Sequence, residues 1–243
     1  MHRVRFRDPA GATRTGRWED DEIVFANETY APKDVTILPP TDPSKIVCVG
    51  LNYADHAEEE GMDIPDRPLL FLKPPNTLAA HGDTITLPRG KESVEFEAEI
   101  AIVIGEQCRD VDADDAMDVV EGFTCLNDVS NRDDQRVEQN WVRGKAFDGS
   151  APVGPVVATP DEVPEDASVS LRVNGETKQS SSRSEFMFSI PELIEEITQY
   201  LTLEPGDIIS TGTPAGVGPL SDGDTVEVEV EGVGVLEHDV RSA

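Results

Sequence analysis

Basic residues are scarce in this chain of 243: 20 Lys and Arg stand against 49 Asp and Glu, for a formal net charge of −29. Only six of the basic residues are lysines. A surface of this sign lacks the cations that neutralise a phosphate backbone, which argues against a nucleic-acid partner. Aromatic residues make up 5% of the chain. Cysteine is nearly absent, and Cys48, Cys108 and Cys125 are widely spaced among apolar neighbours. That pattern excludes a disulfide framework or a cysteine zinc site and reads as buried free thiols in a reducing compartment. The opening MHRVRFRDPAGA has no apolar signal core, and no hydrophobic run approaches the length of a membrane span. The expectation is a cytoplasmic protein without a membrane partner.

The acids are spread through periodic apolar segments instead of forming one block, so a disordered acidic tail is not the reading. A solvated surface suited to high ionic strength, as in a salt-in halophile, is expected instead. The length allows one large domain with a substantial core. Residues 1–43 alternate apolar and polar around Gly11 and Gly16 and end in Pro39, Pro40 and Pro43, which predicts a small N-terminal β unit. Residues 44–243 form the main domain, opening with the buried strand KIVCVG and the short helical turn NYADHAEEEG. Strands PLLFLKP and DTITLP come next, and a helix is expected from about Asp112 running into a strand at Phe123. Later strands are interrupted by one helix in SIPELIEEITQYLTL, capped by Ser189, with Leu193, Ile194, Ile197, Tyr200 and Leu201 as its apolar stripe. Without regular βαβ alternation this is a β-rich α+β fold.

VEFEAEIAIVIG, residues 94–105, is the anomaly. Strand alternation puts Glu95, Glu97 and Glu99 on one face, but Ala101 and Val103 continue that face as apolar residues, driving carboxylates toward a buried place. TVEVEVEG supplies the internal control: Glu227, Glu229 and Glu231 oppose Val226, Val228 and Val230, and a half-solvated strand accounts for them. A third carboxylate, Asp128 in CLNDVSNRD, comes after an apolar strand. Three such groups brought together repel and resist ionising unless a cation sits among them, and hard Mg2+ or Mn2+ accepts that arrangement. The alternative is a solvated acidic face. His56 lies three residues before Glu59, close enough on one helical face for a carboxylate to orient an imidazole as a general base, or for both to be surface groups. Lys145, in KAFDGSAPVGP, is one of few lysines and precedes a run of small residues. STGTPAGVGPL offers hydroxyls and backbone donors but lacks the Gly-Lys-Ser/Thr of a phosphate loop.

In order along the chain, VGLNYADHAEEEG, PLLFLKPPNTL, EFEAEIAIVIG, GFTCLNDVSNRDDQ, KAFDGSAPVGP and LEPGDIISTGTPAGVGPL together resemble the fumarylacetoacetate hydrolase family over residues 45–220. The resemblance implies a mixed β-sandwich roll. By the same resemblance, Glu97, Glu99 and Asp128 match metal ligands for Mg2+, with Mn2+ or Ca2+ as substitutes. His56 and Glu59 match a catalytic pair on a lid segment, and Lys145 a lysine near the reacting oxygen. Arg132, Gln135, Thr213 and Lys73 fall at substrate-contact positions. Leu51, where some acylpyruvate-cleaving relatives carry Arg, and Ser184, where many carry Thr, are departures that bear on the substrate.

The chemistry so implied is hydrolysis of the C–C bond in an acylpyruvate-type 2,4-dioxo acid through a metal-stabilised enolate. The same enolate serves isomerisation or decarboxylation of related diacids, including oxaloacetate, in aromatic catabolism. A homodimer acting on a small 2-oxo acid is implied. The contrasting class is a non-catalytic, acidic, cation-binding protein.

Overall fold

The computed structural model describes residues 1–243 and has the β-rich α+β architecture expected, with three sheets and few helices. The large sheet runs from Glu28–Tyr30 at one edge through His2–Arg7, Ala151–Ala158, Val120–Asn127, Ala98–Ile104, Ile208–Ser210 and Ile46–Val49 to Leu70–Lys73 at the other. A five-stranded sheet, Glu176–Ser182, Ser168–Val173, Thr225–Val230, Gly234–Ser242 and Thr84–Leu87, packs on the strands Ala98–Ile104 and Val120–Asn127. Most pairings are antiparallel, but Ile208–Ser210 lies parallel to Ile46–Val49 and Gly234–Ser242 parallel to Thr84–Leu87, which makes the roll mixed.

Alternation in the sequence explains which faces meet. In Thr225–Val230 the valines Val226, Val228 and Val230 are buried while Glu229 is exposed, as the control strand should be. Ala98–Ile104 is buried at every position because both faces of that central strand are covered. Within residues 1–43, Val4, Phe6, Ile23 and Ile37 join the same apolar core as Ile100, Ile102, Val228 and Leu236, and His2 and Arg3 pair with Ala158 and Val157. No helix is long and apolar enough to cross a membrane. The three cysteines are free and buried.

Three local expectations are corrected. The segment after Asp112 is a 3-10 helix, Ala113–Val119, with the strand beginning at Val120. Its buried residues Ala116 and Val119 are three apart, and the three-residue turn is what places both on one side, against the helix Ile190–Tyr200. Tyr200 is 56% exposed instead of joining that helix's apolar stripe, and its ring and hydroxyl receive Arg67. Residues 94–105 are not one strand: Val94–Phe96 belongs to a three-stranded sheet with Ser130–Asn131 and Gly218–Pro219, and the chain passes to the large sheet at Glu97.

Ser189 caps Ile190–Tyr200 through a reciprocal capping box with Glu192. Ser189→Ala is therefore expected to cost about 1 kcal/mol, measured as a lower urea midpoint with unchanged m; an unmoved midpoint would mean that the cap is replaced by solvent.

Candidate active site

Glu97 sits at the switch between sheets, where ladder bonds are interrupted and side chains take over. Its N–H donates to Asn127 Oδ1 at 2.9 Å, and its carbonyl accepts from the Asp128 N–H at 2.9 Å. The antiparallel register opposes Ala98 to Asn127 and Glu99 to Leu126, so Asp128 emerges beside Glu97. One oxygen from each of Glu97, Glu99 and Asp128 lies within 4.8 Å of the others, and all three residues are buried. Glu95, on the same face by alternation, is outside this group and accepts from Arg132 Nε at 2.7 Å.

Buried carboxylates need compensation, and three cations supply it. Lys145 Nζ bridges Glu97 Oε2 and Asp128 Oδ2, each at 2.7 Å, and lies 5.1 Å from the Phe71 ring centroid. Arg132 donates to Glu97 Oε1 at 2.5 Å and to Gln135 Oε1 at 2.7 Å. Lys73 is wholly buried, 2.7 Å from Asp128 Oδ1, and donates to the carbonyl and hydroxyl of Ser150. Burial pushes the Glu97 carboxyl up, but Lys145 and Arg132 outweigh that and hold it well below its ordinary value. Burial and then the charges of Asp128 and Glu97 push Glu99 up to about 8. Its donors, Ser210 Oγ at 2.5 Å and Gly212 N–H at 2.8 Å, both address Oε2, and no cation pairs with it.

The donor set therefore fits a hard divalent cation: three clustered, buried carboxylates, of which Glu99 lacks a cationic partner.

The helix Ala54–Glu59 covers the site. Asn52 ties its base down, donating to Thr211 O at 2.9 Å and accepting from the Phe188 N–H at 2.7 Å, while Tyr53 packs edge-on against Phe186. His56 is 4% exposed, with Nδ1 3.2 Å from Glu59 Oε2, and both Glu59 oxygens accept from the Gly216 N–H at 3.1 Å. His56, Glu97, Arg132, Gln135 and Lys145 line a cavity of about 80 Å³ beneath this helix. Two residues expected to contact substrate do not line it. Lys73 is sealed behind Asp128, and the Thr213 hydroxyl donates to Ala98 O at 2.9 Å, bracing the acidic strand.

Sequence reasoning misses Gln179. It is buried, accepts from the Ala98 N–H at 2.9 Å, and donates to Thr213 Oγ1 and Pro214 O, each at 2.8 Å. Its side chain thus fixes the residue between Glu97 and Glu99 to the 213–214 turn; a glutamine among serines and threonines carries no signal of this. Asn127, whose Nδ2 is 2.9 Å from His238 Nε2, is likewise legible in the sequence only as part of a strand.

Residues 45–241 match the family described as fumarylacetoacetate (FAA) hydrolase C-terminal. The chain is 44% identical over 215 residues to the mitochondrial oxaloacetate tautomerase FAHD2A of Bos taurus, covering 84% of this chain and 68% of that one. The crystal structure of a 5-carboxymethyl-2-hydroxymuconate delta-isomerase from Mycobacterium smegmatis superposes with a TM-score of 0.92 at 40% identity, covering 100% of this chain and 99% of that one. A fumarylacetoacetate hydrolase from Exiguobacterium antarcticum superposes with a TM-score of 0.88 at 32% identity, covering 100% of both chains.

Two measurements test the geometry. Because Glu99 titrates near 8, metal binding at pH 7 is expected to release about one proton, with affinity falling about tenfold per pH unit below that value. In EDTA, where the neutral carboxyl is the favoured form, stability due to Glu99 should fall as pH rises from its ordinary 4.5 toward about 8, and Mg2+ should restore it. Calorimetry in buffers of different ionisation enthalpy reads the proton; pH-independent affinity, or the same slope in Glu99→Gln, would remove Glu99 from the ligand set. Separately, Gln179→Met orphans the buried Ala98 N–H and is expected to destabilise by about 1–3 kcal/mol and to weaken Mn2+ binding. An unmoved urea midpoint in Gln179→Met would contradict the role given to that bond.

Proposed function

The chain belongs to the fumarylacetoacetate hydrolase family, and we propose that it is a divalent-metal-dependent hydrolase cleaving the C–C bond of an acylpyruvate-type 2,4-dioxo acid. The observation that carries this reading is that His56, paired with Glu59, lines a cavity together with Lys145, Arg132 and Glu97. A base and the cations that would hold an acid thus face a common space. With Nδ1 3.2 Å from Glu59 Oε2, His56 Nε2 is the atom left to take a proton.

A divalent cation held by Glu97, Glu99 and Asp128 would supply Lewis-acid stabilisation of negative charge on the substrate's 2-oxygen. The protein's own groups do the rest. Arg132 and Lys145 orient the substrate's carboxylate and keto oxygen, and the helix Ala54–Glu59 excludes bulk water. His56 takes a proton from one water, whose oxygen bonds to C4. The C3–C4 bond breaks with its electron pair passing to C3 as the pyruvate enolate, and the acyl group leaves as a carboxylic acid. His56 then returns the proton to C3, so that substrate plus water gives pyruvate plus acid.

A second reading, proton transfer without cleavage, is favoured by the likeness at 44% and 40% identity to a tautomerase and an isomerase. There His56 would move a proton at C3 and no water would attack.

The test is product analysis by NMR in molar KCl, with and without Mg2+ or Mn2+, on acetylpyruvate, fumarylpyruvate, oxaloacetate and a dienol diacid. Metal-dependent pyruvate plus free acid is expected, with His56→Ala lowering kcat by roughly 10²–10⁴-fold and Glu99→Gln abolishing the metal-dependent turnover. Tautomer or isomer alone would transfer the function to the second reading. Turnover unchanged in His56→Ala would remove the base and both readings with it.

A further inference from the structure

The cavity is lined by two unlike sets of residues. In the polar set, the one given to the acid head, Arg132 bonds Glu95, Glu97 and Gln135, and Lys145 bonds Glu97 and Asp128. The apolar set is Leu51, Met62, Leu69, Phe71 and Trp141, and it adjoins the first where Lys145 lies over the Phe71 ring. Leu51 is fully enclosed, and Phe71 and Trp141 meet edge-on with ring centroids 5.5 Å apart. Glu60 also lines the cavity, exposed and near enough for its charge to act on Arg132.

The same Leu69, Phe71 and Trp141 also line an outer groove of about 420 Å³, continued by Leu70, Leu72 and Val142, with the uncharged Gln139 and Asn140 as its polar residues. Leu72 and Val142 are 52% and 61% exposed, so this apolar track runs out to solvent beside the cavity. The inner cavity, about 80 Å³, is well below the roughly 300 Å³ at which ordinary ligand pockets begin. It holds the 2-oxo acid head and little more.

We infer that the far end of the substrate is uncharged and apolar, lying along Leu51, Phe71 and Trp141 toward the outer groove, so that the enzyme selects monocarboxylic acids over the di- and tricarboxylic acids for which two of its relatives are named. The inference rests on the 2-oxo acid reading above and narrows it. A second carboxylate on the tail would be desolvated among aliphatic and aromatic side chains whose neighbouring cation, Lys145 over the Phe71 ring, is already paired with Glu97 and Asp128, and it would meet the like charge of Glu60. An acyl chain instead gains from every methylene placed against the same wall. Leu51 and Glu60 are the specificity-determining positions.

The test is binding, independent of the reaction catalysed. Mg2+-loaded protein is titrated calorimetrically with pyruvate, 2-oxobutyrate, 2-oxopentanoate and 2-oxohexanoate, and with the near-isosteres 5-methyl-2-oxohexanoate and 2-oxoglutarate. Affinity is expected to rise by up to about fourfold per methylene, and 2-oxoglutarate to bind at least about tenfold more weakly than its isostere. Leu51→Arg should reverse that preference; since an arginine at an enclosed site can disturb folding, the exposed Glu60→Lys serves as the second variant and should narrow the gap. Equal or tighter binding of 2-oxoglutarate by the unaltered protein overturns the inference while leaving the 2-oxo acid site standing. Failure of every 2-oxo acid to bind, pyruvate included, overturns the parent reading and this inference together.

Discussion

Burying Glu97, Glu99 and Asp128 within 4.8 Å of one another is the constraint on which the rest of the site depends. Ionised carboxylates in such a place are tolerable only if cations and donors are brought to them, and the fold commits several otherwise unrelated segments to that task. Lys73 comes from the edge strand Leu70–Lys73, Arg132 from the turn of helix after Asn131, and Lys145 from a second short helix. They meet only because the strand carrying the acids is central. The compensation is uneven: Glu97 is held charged by Lys145 and Arg132, whereas Glu99 has hydroxyl and backbone donors but no cation. That imbalance leaves a cluster that could accept a cation.

The sheet switch at Glu97 supplies the geometry. A continuous ladder would have left both backbone groups of Glu97 bonded to a neighbouring strand; instead Asn127 and the Asp128 amide take them, and Gln179 takes the next N–H, at Ala98. Side chains can aim a backbone at angles that a regular pleat does not permit. Gln179 also holds the 213–214 turn, and from Gly216 that turn reaches the Glu59 carboxylate. The covering helix, the turn and the acidic strand are therefore joined by hydrogen bonds, and Glu59 belongs both to the base and to this connection.

The cavity beneath that helix is lined both by charged groups, Glu97, Arg132 and Lys145, and by apolar ones, Leu51, Phe71 and Trp141. On the reading proposed above, the first set would serve the chemistry and the second the choice of substrate. The three apolar residues come from three separate stretches of chain.

Local pattern is enough to read the strands with strict alternation, the Ser189-capped helix and the peculiarity of an acidic face that turns apolar after Glu99, because each depends on neighbours within a few residues. The order of six short segments is enough for family and fold. Where the period is ambiguous the pattern misleads: Ala116 and Val119 suit a 3-10 turn as well as an α-helix, and Tyr200 looks apolar by spacing alone. The sequence by itself determined that carboxylates would be driven inward and which residues could answer them. Only the tertiary structure decided which of them do: Lys73 and Thr213 turned away from the cavity, Gln179 became a clamp, and Glu99 was left without a cation. Those outcomes depend on distances between segments some 30 to 115 residues apart, such as Glu97 to Asn127 and Ala98 to Thr213, which no local period encodes.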